Sequence, residues 1–224
     1  MRSVSGSALG LKDTTIGKKA IMAVTGLVLV GFVIAHMIGN LNAYRGREAF
    51  NGYAAFLHSM GGLLWVARGV LLGSVALHIW AAVSLVRLNR AARPVRYQVK
   101  QNQVTTYAAR VMPVGGLVLA LFIVYHILHL TVGTVAPGEF RGWQDAYHNF
   151  VTGFQVPAVA GIYVVAQAAL GLHLYHGVWS LLQTLGANHP RYNVWRKRAA
   201  VAVAIGVAGI NLSYPIAVLA GVIK

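Results

Sequence analysis

The sequence has 224 residues, of which 57% are hydrophobic and only 10% are charged. Soluble domains carry about 25% charged residues, so this composition excludes an ordinary water-soluble protein and is typical of a chain that spans a membrane. There is no cysteine, which excludes disulfides, thiolate-bound zinc, iron–sulfur clusters and haem attached to cysteine. A cofactor must therefore be held by histidine, by carboxylates or by noncovalent contacts.

Five apolar runs are long enough to cross a bilayer, which takes about 20 helical residues each. Basic or turn-forming residues bound every run. We predict transmembrane helices over residues 17–41, 61–87, 111–136, 156–185 and 198–222. No soluble domain, flexible linker or low-complexity tract interrupts these helices, so residues 1–224 are expected to form a single all-α membrane domain.

The basic residues are distributed unevenly between the two sides of the membrane. With five alternating spans, fourteen of the nineteen Lys and Arg residues fall on the side of the N-terminus and five on the other side. Because basic residues stay preferentially on the cytoplasmic side, we predict a cytoplasmic N-terminus. The net charge of +15 is expected to meet anionic lipid and not nucleic acid.

The two outer loops carry aromatic residues that suit the membrane surface. The later part of the first loop has helical spacing through Tyr53, Phe56, Leu57 and His58, which predicts a helix lying on that surface. The second loop, residues 137–150, carries Trp143, Tyr147 and Phe150, which suit an interfacial belt. We expect both loops to cover one end of the helix bundle.

Nine histidines are many for so apolar a chain, and ionisable groups within a membrane are costly and usually functional. At about 1.5 Å rise per residue, His36 and His126 lie toward the outer face. His78 and His173 lie in the inner half. The four residues thus form two pairs, whose depths differ by roughly 10 Å.

These depths predict two haem sites. A neutral imidazole can bind a haem iron from either face, and helix bundles build such sites from side chains on facing helices. We predict one haem b between His36 and His126 and another between His78 and His173, spaced for electron transfer across the membrane. Nearby glycines would admit a ring or a neighbouring helix; they are Gly26, Gly31, Gly39, Gly73, Gly115, Gly116, Gly171 and Gly177.

Two further histidines leave an alternative open. His129 and His176 follow His126 and His173 by three residues, near the same helix face. An H-x-x-H pattern could hold a non-haem metal in a membrane enzyme or transporter, although the split in depth favours haem. His129 and His176 could equally form hydrogen bonds to neighbouring helices.

Several segments carry a resemblance to a known family. They are residues 32–36 ending in His36, Asn40, the loop R-G-R-E-A-F-N at 45–51, Leu77-His78, Tyr125-His126, and the run from His173 to Ser180. From about Gly17 to the fifth span, the chain resembles the cytochrome b subunit, of the b558 type, of succinate:quinone oxidoreductases. The resemblance is to the five-helix, di-haem form, which succinate dehydrogenases and quinol:fumarate reductases share.

The resemblance implies an all-α integral membrane protein whose bundle of five transmembrane helices binds two haems b. In the family, residues matching His78 and His173 hold the proximal haem, nearer the iron–sulfur subunit, and those matching His36 and His126 hold the distal haem. The partners implied are an iron–sulfur subunit and a flavoprotein subunit, which carry the iron–sulfur clusters and FAD. The implied location is the cytoplasmic membrane of a prokaryote, as a multi-pass subunit that does not itself contact succinate.

The substrate implied for this subunit is a membrane quinone, with menaquinone as the expected type. A quinone site needs an apolar pocket with a few hydrogen-bond donors, and two locations compete. The cytoplasmic side offers Thr14, Thr15, Lys18, Ser84 and Arg87, and the outer side offers Asn40, Asn42, Tyr44 and His58. Haem propionates should seek basic or hydroxyl groups; the candidates are Lys19, Arg87 and Ser180 inside and Arg45 outside.

The chain also departs from the family pattern. No Asp or Glu lies within a predicted span, whereas some family members have a glutamate where this sequence has His129. Histidine titrates near neutral pH, so His58, His129 and His176 are candidate proton carriers. The sequence predicts a di-haem, quinone-linked subunit of a succinate dehydrogenase, with fumarate reductase as the variant that runs in the reverse direction. The non-haem metal protein is the alternative from a different class.

Overall fold

The computed structural model describes residue 10 and residues 12–92, 106–187 and 189–224. Throughout these residues the regular structure is helical, and no strand occurs among them. The α-helices in this part of the chain are α1 (Thr15–Asn40), α2 (Arg47–Ser59), α3 (Gly62–Ala91), α4 (Tyr107–Ile127), α5 (Ala146–Phe154), α6 (Pro157–Thr184) and α7 (Asn193–Leu219). Short 3-10 helices cover Leu41–Arg45, Gly142–Asp145 and Pro190–Tyr192, and a π-helical turn covers Leu128–Val132.

Five helices, with their short extensions, are long and apolar enough to cross a membrane. They cover Thr15–Arg45, Gly62–Ala91, Tyr107–Val132, Pro157–Thr184 and Pro190–Leu219. The prediction of an all-α chain with five spans is confirmed, and the bounds differ by a few residues. The third and fifth spans begin before their flanking arginines, because Thr106 caps α4 by accepting a hydrogen bond from the Ala109 amide and a 3-10 turn leads into α7.

The predicted sidedness rests partly on residues that the structure does not cover. Arg2, Arg93, Arg96 and Lys100, which contribute to the predicted cytoplasmic charge, lie outside the described residues. The cytoplasmic location of the N-terminus therefore stays a prediction.

Helix α6 is the centre of the bundle. It packs against α4 on one side, against α7 on another and against α1, which in turn packs closely on α3. Around the bundle the order is α3, α1, α6, α4, with α7 seated against α1 and α6. The outer members of that row, α3 and α4, present many large apolar side chains to the surroundings, among them Leu72, Leu77, Val114, Leu117 and Leu121. These exposed faces are what a lipid-facing helix requires.

One end of the bundle is covered by a lid, defined here as α2, the 3-10 turn Gly142–Asp145 and α5. The predicted helix through Tyr53 and His58 is confirmed as α2, its location on the membrane surface stays a prediction, and α5 was not predicted as a helix. Aromatic side chains of the lid form its core, with Phe50 packed on Phe150 and Phe150 packed edge-on to Phe154. The lid thus closes the end of the bundle at which α1 finishes and α6 begins.

Polar contacts at Asp145 join the two outer loops. Its carboxylate accepts hydrogen bonds from Arg47 at 3.0 Å and from the Asn51 side-chain amide at 3.0 Å. The side-chain oxygen of Asn51 accepts one from the Tyr147 backbone amide at 2.9 Å. Partial burial opposes ionisation of Asp145, but the hydrogen bonds from Asn51 and the His148 amide, with the charge of Arg47, lower its pKa. The loop that carries the family resemblance therefore ties the lid together.

The π-helical turn ends the third span. The Gly133 amide donates to the Leu128 carbonyl at 2.9 Å, which is the wide hydrogen bond of that turn. Gly133 has φ +86, and a Cβ there would lie 2.3 Å from the Phe140 ring. Only glycine meets both conditions, so the span ends at Val132 and not near residue 136 as predicted.

Candidate functional site

The four predicted haem ligands come together in the two predicted pairs. The imidazole centres of His36 and His126 are 5.8 Å apart, and those of His78 and His173 are 6.2 Å apart. We call the first the lid-side pair and the second the mid-bundle pair. Each pair joins two helices that are separate in the chain.

The two pairs lie at different levels of the bundle. Tyr163 on α6 contacts His126, whereas His173 lies ten residues further along the same helix, which is about 15 Å of helical rise. This register agrees with the prediction that the two pairs lie at different depths, and the depth difference of roughly 10 Å stays a prediction.

The spacing within each pair fits a metal held between two imidazoles. Two metal–nitrogen bonds of about 2.0 Å each, extended to the ring centres on opposite sides, place those centres about 6 Å apart. The measured distances of 5.8 and 6.2 Å match this value. All four side chains are partly buried, so a neutral imidazole is the form that suits these positions. The residues present therefore fit the bis-histidine haem sites that the sequence predicts.

In the mid-bundle pair, Thr25 on α1 fixes the orientation of His78. The Thr25 hydroxyl donates to the backbone carbonyls of Ile21, at 2.8 Å, and Met22, at 3.2 Å. Its oxygen lies 3.1 Å from His78 Nδ1 and so accepts the Nδ1–H. His78 Nε2 then carries the lone pair, which is the form that binds a metal. The Nδ1 atom of the opposing His173 is buried without a hydrogen-bond partner among the described residues.

The lid-side pair sits in an aromatic cluster. The ring of Phe32 stacks on His36 and that of Phe122 lies against His126. The Tyr163 hydroxyl lies 3.2 Å from His126 Nδ1 and 2.9 Å from His129 Nδ1. One hydroxyl group from α6 therefore bridges two imidazoles of the third span.

His129 is the most enclosed polar residue of this cluster. It is fully buried, its ring stacks on Tyr125, and its Nε2 atom has no partner among the described residues. Gly153 of the lid lies directly against it, since a Cβ on Gly153 would be 2.6 Å from that Nε2. His129 thus forms the hydrogen bond to a neighbouring helix that was one of its three predicted roles.

The four histidines that the alternative prediction assigns to a non-haem metal site do not lie close together. His126 and His129 belong to the lid-side level, whereas His173 and His176 belong to the mid-bundle level. No group of three or more His, Asp or Glu side chains within the described ranges is arranged to share one metal ion.

The predicted outer quinone residues are spread over the lid and its rim. His58 stacks on Trp143 with ring centres 4.5 Å apart, and its Nδ1 donates to the Ala54 carbonyl at 2.9 Å. The other residues are engaged locally. The Asn42 amide donates to Gly39, the Tyr44 hydroxyl donates to Ser213, and Asn40 caps the 3-10 turn without a side-chain bond.

The residues predicted to bind quinone or haem propionates on the inner side lie on different helices. Thr14 caps α1 by accepting from the Gly17 amide at 3.0 Å. Within the described chain none of the inner candidates forms a hydrogen bond to a predicted haem ligand. Thr15, Lys19 and Arg87 are exposed, and Lys18, Ser84 and Ser180 are partly buried. Arg45, the outer propionate candidate, is also exposed and donates to Asn42 at 3.3 Å.

Three of the predicted glycines allow close approach, whereas the others border open space. A Cβ on Gly26 would meet His78 Cε1 at 3.4 Å, one on Gly39 would meet the Tyr53 ring at 2.5 Å, and one on Gly171 would meet Ala208 at 3.2 Å. A Cβ would meet nothing within 4 Å at Gly31, Gly73, Gly115, Gly116 or Gly177. A groove between α4 and α6 also encloses about 240 Å³ beside His173, bordered by Gly115 and Leu172.

Sequence reasoning missed Thr25 and Tyr163, the two hydroxyl groups that orient predicted ligands. A signal was present, because a polar side chain within a lipid-spanning helix is usually placed to meet a partner. Neither residue could be paired with a particular histidine before the relative rotation of the helices was known.

Comparison with known proteins gives one informative similarity. The chain is 25% identical over 164 residues to the succinate dehydrogenase cytochrome b558 subunit of Bacillus subtilis (strain 168), and the alignment covers 72% of this chain and 75% of that protein. No protein-family model matches the chain, and no solved structure matches it significantly.

Proposed function

We propose that this chain is the di-haem cytochrome b membrane subunit of a succinate:quinone oxidoreductase. In this role it anchors an iron–sulfur subunit and a flavoprotein subunit at the membrane and passes electrons between the iron–sulfur subunit and quinone. The proposal includes a cytoplasmic N-terminus and a location in the cytoplasmic membrane of a prokaryote.

The observation that carries the proposal is the presence of two histidine pairs with the same spacing at two levels of one bundle. The ring centres are 5.8 and 6.2 Å apart, and each pair joins two of the four spans that carry histidine. A single structural histidine would explain neither the pairing nor its repetition. The similarity to a Bacillus cytochrome b558 subunit supports the same conclusion independently.

In this proposal, His36 and His126 hold one haem b and His78 and His173 hold the other. Each haem, when bound, supplies a one-electron carrier. Thr25 orients His78, and the aromatic side chains around the lid-side pair exclude water. A low-dielectric setting of this kind favours the neutral form of the imidazole ligands.

The remaining assignments concern the edges of the two sites. We propose Lys19, Arg87 and Ser180 as propionate contacts on the inner side, with Arg45 on the outer side. For quinone, we propose Thr15, Lys18 and Ser84 on the inner side, or His58 on the outer side. The Nδ1–H of His58 is held by Ala54, and Trp143 covers one face of its ring, so its Nε2 is the atom available to a quinol hydroxyl.

The test is to purify the chain with its partner subunits and to record visible spectra before and after reduction. We expect a sharp alpha band on reduction and about two haems b per chain by pyridine haemochrome assay. Succinate-dependent reduction of menaquinone and ubiquinone analogues, measured beside the reverse fumarate reaction, would establish the quinone type and the direction.

A colourless subunit that still assembles with its partners would contradict the proposal. One bound non-haem metal, detected by elemental analysis in the absence of haem, would favour the alternative from the other class. Retention of both haems after His36→Ala and after His78→Ala would also contradict the proposed ligands.

A further inference from the structure

We propose that Tyr163 is a positioning residue for His126. The buried His129 supports this role by accepting a hydrogen bond from the Tyr163 hydroxyl. This inference rests on the proposed function, because it concerns a residue that supports a proposed haem ligand. It adds a role for two residues that the pairing of ligands does not require.

The argument begins with the number of protons available. Tyr163 has a single hydroxyl proton, yet its oxygen lies within hydrogen-bond distance of the Nδ1 atoms of both His126, at 3.2 Å, and His129, at 2.9 Å. The hydroxyl can donate to only one of these nitrogens. The other nitrogen must carry a hydrogen and donate it to the oxygen. The two imidazoles are therefore opposite tautomers.

The distances indicate which histidine plays which part. Hydrogen bonds donated by a hydroxyl are shorter on average than those donated by a ring nitrogen. The shorter contact, to His129, is therefore the one in which Tyr163 donates, and the longer contact is the one in which His126 donates its Nδ1–H. His126 then carries its lone pair on Nε2, which is the tautomer that can bind iron. The reverse arrangement would place a proton on that atom.

The surroundings make this arrangement hard to change. His129 has no solvent exposure, and Gly153 closes against its Nε2 edge, where a Cβ would be 2.6 Å away. The Tyr163 ring packs edge-on to Phe122 and Phe154. The hydroxyl consequently cannot turn toward water, and its proton is directed to His129.

An accepted Nδ1–H bond also makes a histidine ligand more basic, because it shifts electron density toward Nε2. A more basic ligand favours the oxidised iron. Tyr163 should therefore lower the midpoint potential of the lid-side haem as well as orient its ligand. Thr25 supports only the other level, so the effect should be confined to one haem.

The test is potentiometric measurement of the alpha band in the assembled complex, for the natural chain and for Tyr163→Phe. We expect two waves in the natural chain. In Tyr163→Phe the lid-side wave should move to higher potential, with about a tenfold change in the ratio of reduced to oxidised haem, which is about 59 mV for one electron. Loss of the lid-side haem alone would also support the proposal. The His78→Ala background identifies the lid-side wave.

Tyr125→Phe is the matched control, because it removes a hydroxyl from the same cluster. The Tyr125 ring contacts His129 and Tyr163, but no hydrogen bond joins it to His126 among the described residues. Both waves should stay in place in this variant. Both waves staying in place in Tyr163→Phe as well would overturn the proposal.

A second variant decides the case if Tyr163→Phe fails to assemble. His129→Leu removes the acceptor of the hydroxyl proton and keeps a side chain of similar size. We expect the lid-side wave to move and the mid-bundle wave to stay, and an unchanged lid-side wave would refute the proposal. A natural complex that lacks haem would instead refute the proposed function, so the two failures are distinguishable.

Discussion

The mid-bundle pair and the lid-side pair are built from the same residue type at nearly the same spacing, yet they are supported in different ways. The mid-bundle pair depends on Thr25, a short side chain whose hydroxyl is already bound to its own helix. The lid-side pair depends on Tyr163, on the stacked rings of Phe32 and Phe122, and on an enclosed second histidine.

The difference shows that one spacing of two histidines can be positioned by a local backbone feature or by a packed cluster. A threonine that bonds back to its helix needs only its own helix and the ligand in contact with it. The aromatic cluster draws on α1, α4, α5 and α6 together. We therefore expect the lid-side pair to respond to changes in packing at a distance, and the mid-bundle pair to respond mainly to changes in its immediate contacts.

The largest expected effect comes from removing the ligands themselves. His36→Ala should abolish the lid-side haem and keep the other, and His78→Ala should do the opposite. A pyridine haemochrome assay should fall to about half its value in each variant. His189→Ala is the control, because His189 lies outside both pairs and caps the 3-10 turn Pro190–Tyr192 by accepting from the Arg191 amide; its haem content should equal that of the natural chain.

The next effect tests whether the lid-side pair depends on the lid. Gly153→Ala should push the buried His129 ring away and destabilise the fold by about 1–3 kcal/mol, the usual cost of overpacking a core. Thermal melting in detergent, followed at the lid-side alpha band, measures this loss. Gly161→Ala is the control, since a Cβ there would meet nothing within 4 Å. Equal melting temperatures for the two variants would contradict the tight contact.

A smaller effect is expected at the mid-bundle pair. Thr25→Val keeps the shape of the side chain and removes the acceptor of the His78 Nδ1–H, which should cost about 1 kcal/mol. The affinity for the mid-bundle haem should fall, as measured by haem occupancy after competition with an apoprotein. Thr25→Ser restores the hydroxyl and should restore occupancy. A change confined to the lid-side haem would break the proposed division between the levels.

The smallest effect concerns the ionic contacts of the lid. Because the folded-state pKa of Asp145 is lowered, its contribution is complete above its ordinary pKa of 3.8 and is lost as pH falls through the lowered value. Asp145→Asn should therefore destabilise the lid by about 0.2–1 kcal/mol at pH 7, and the difference should disappear as the pH falls below the lowered pKa of Asp145. Hydrogen exchange of α2 and α5 across this pH range is the measurement. Glu48→Gln, at an exposed carboxylate of α2, should show no such difference.

The sequence predicts the five spans and which histidines lie next to each other, because both depend on distances along the chain. Apolar length predicts the five spans, and rise per residue predicts which histidines share a level. It does not predict α5, whose nine residues mix aromatic and small side chains and whose helix is stabilised by packing on α6 and α7. Nor does it predict the Tyr163 contacts, which depend on how α4 and α6 rotate about their axes.

The π-helical turn at Leu128–Val132 makes this part of the chain sensitive to changes in length. It brings the backbone to Gly133 while keeping His129 under the lid, and Gly133 lies close against the Phe140 ring. Deleting one residue before His129 would rotate the remaining helical residues up to Val132, His129 among them, by about 100° around the helix axis. Natural variants of this chain should therefore tolerate substitutions in that stretch far better than insertions or deletions.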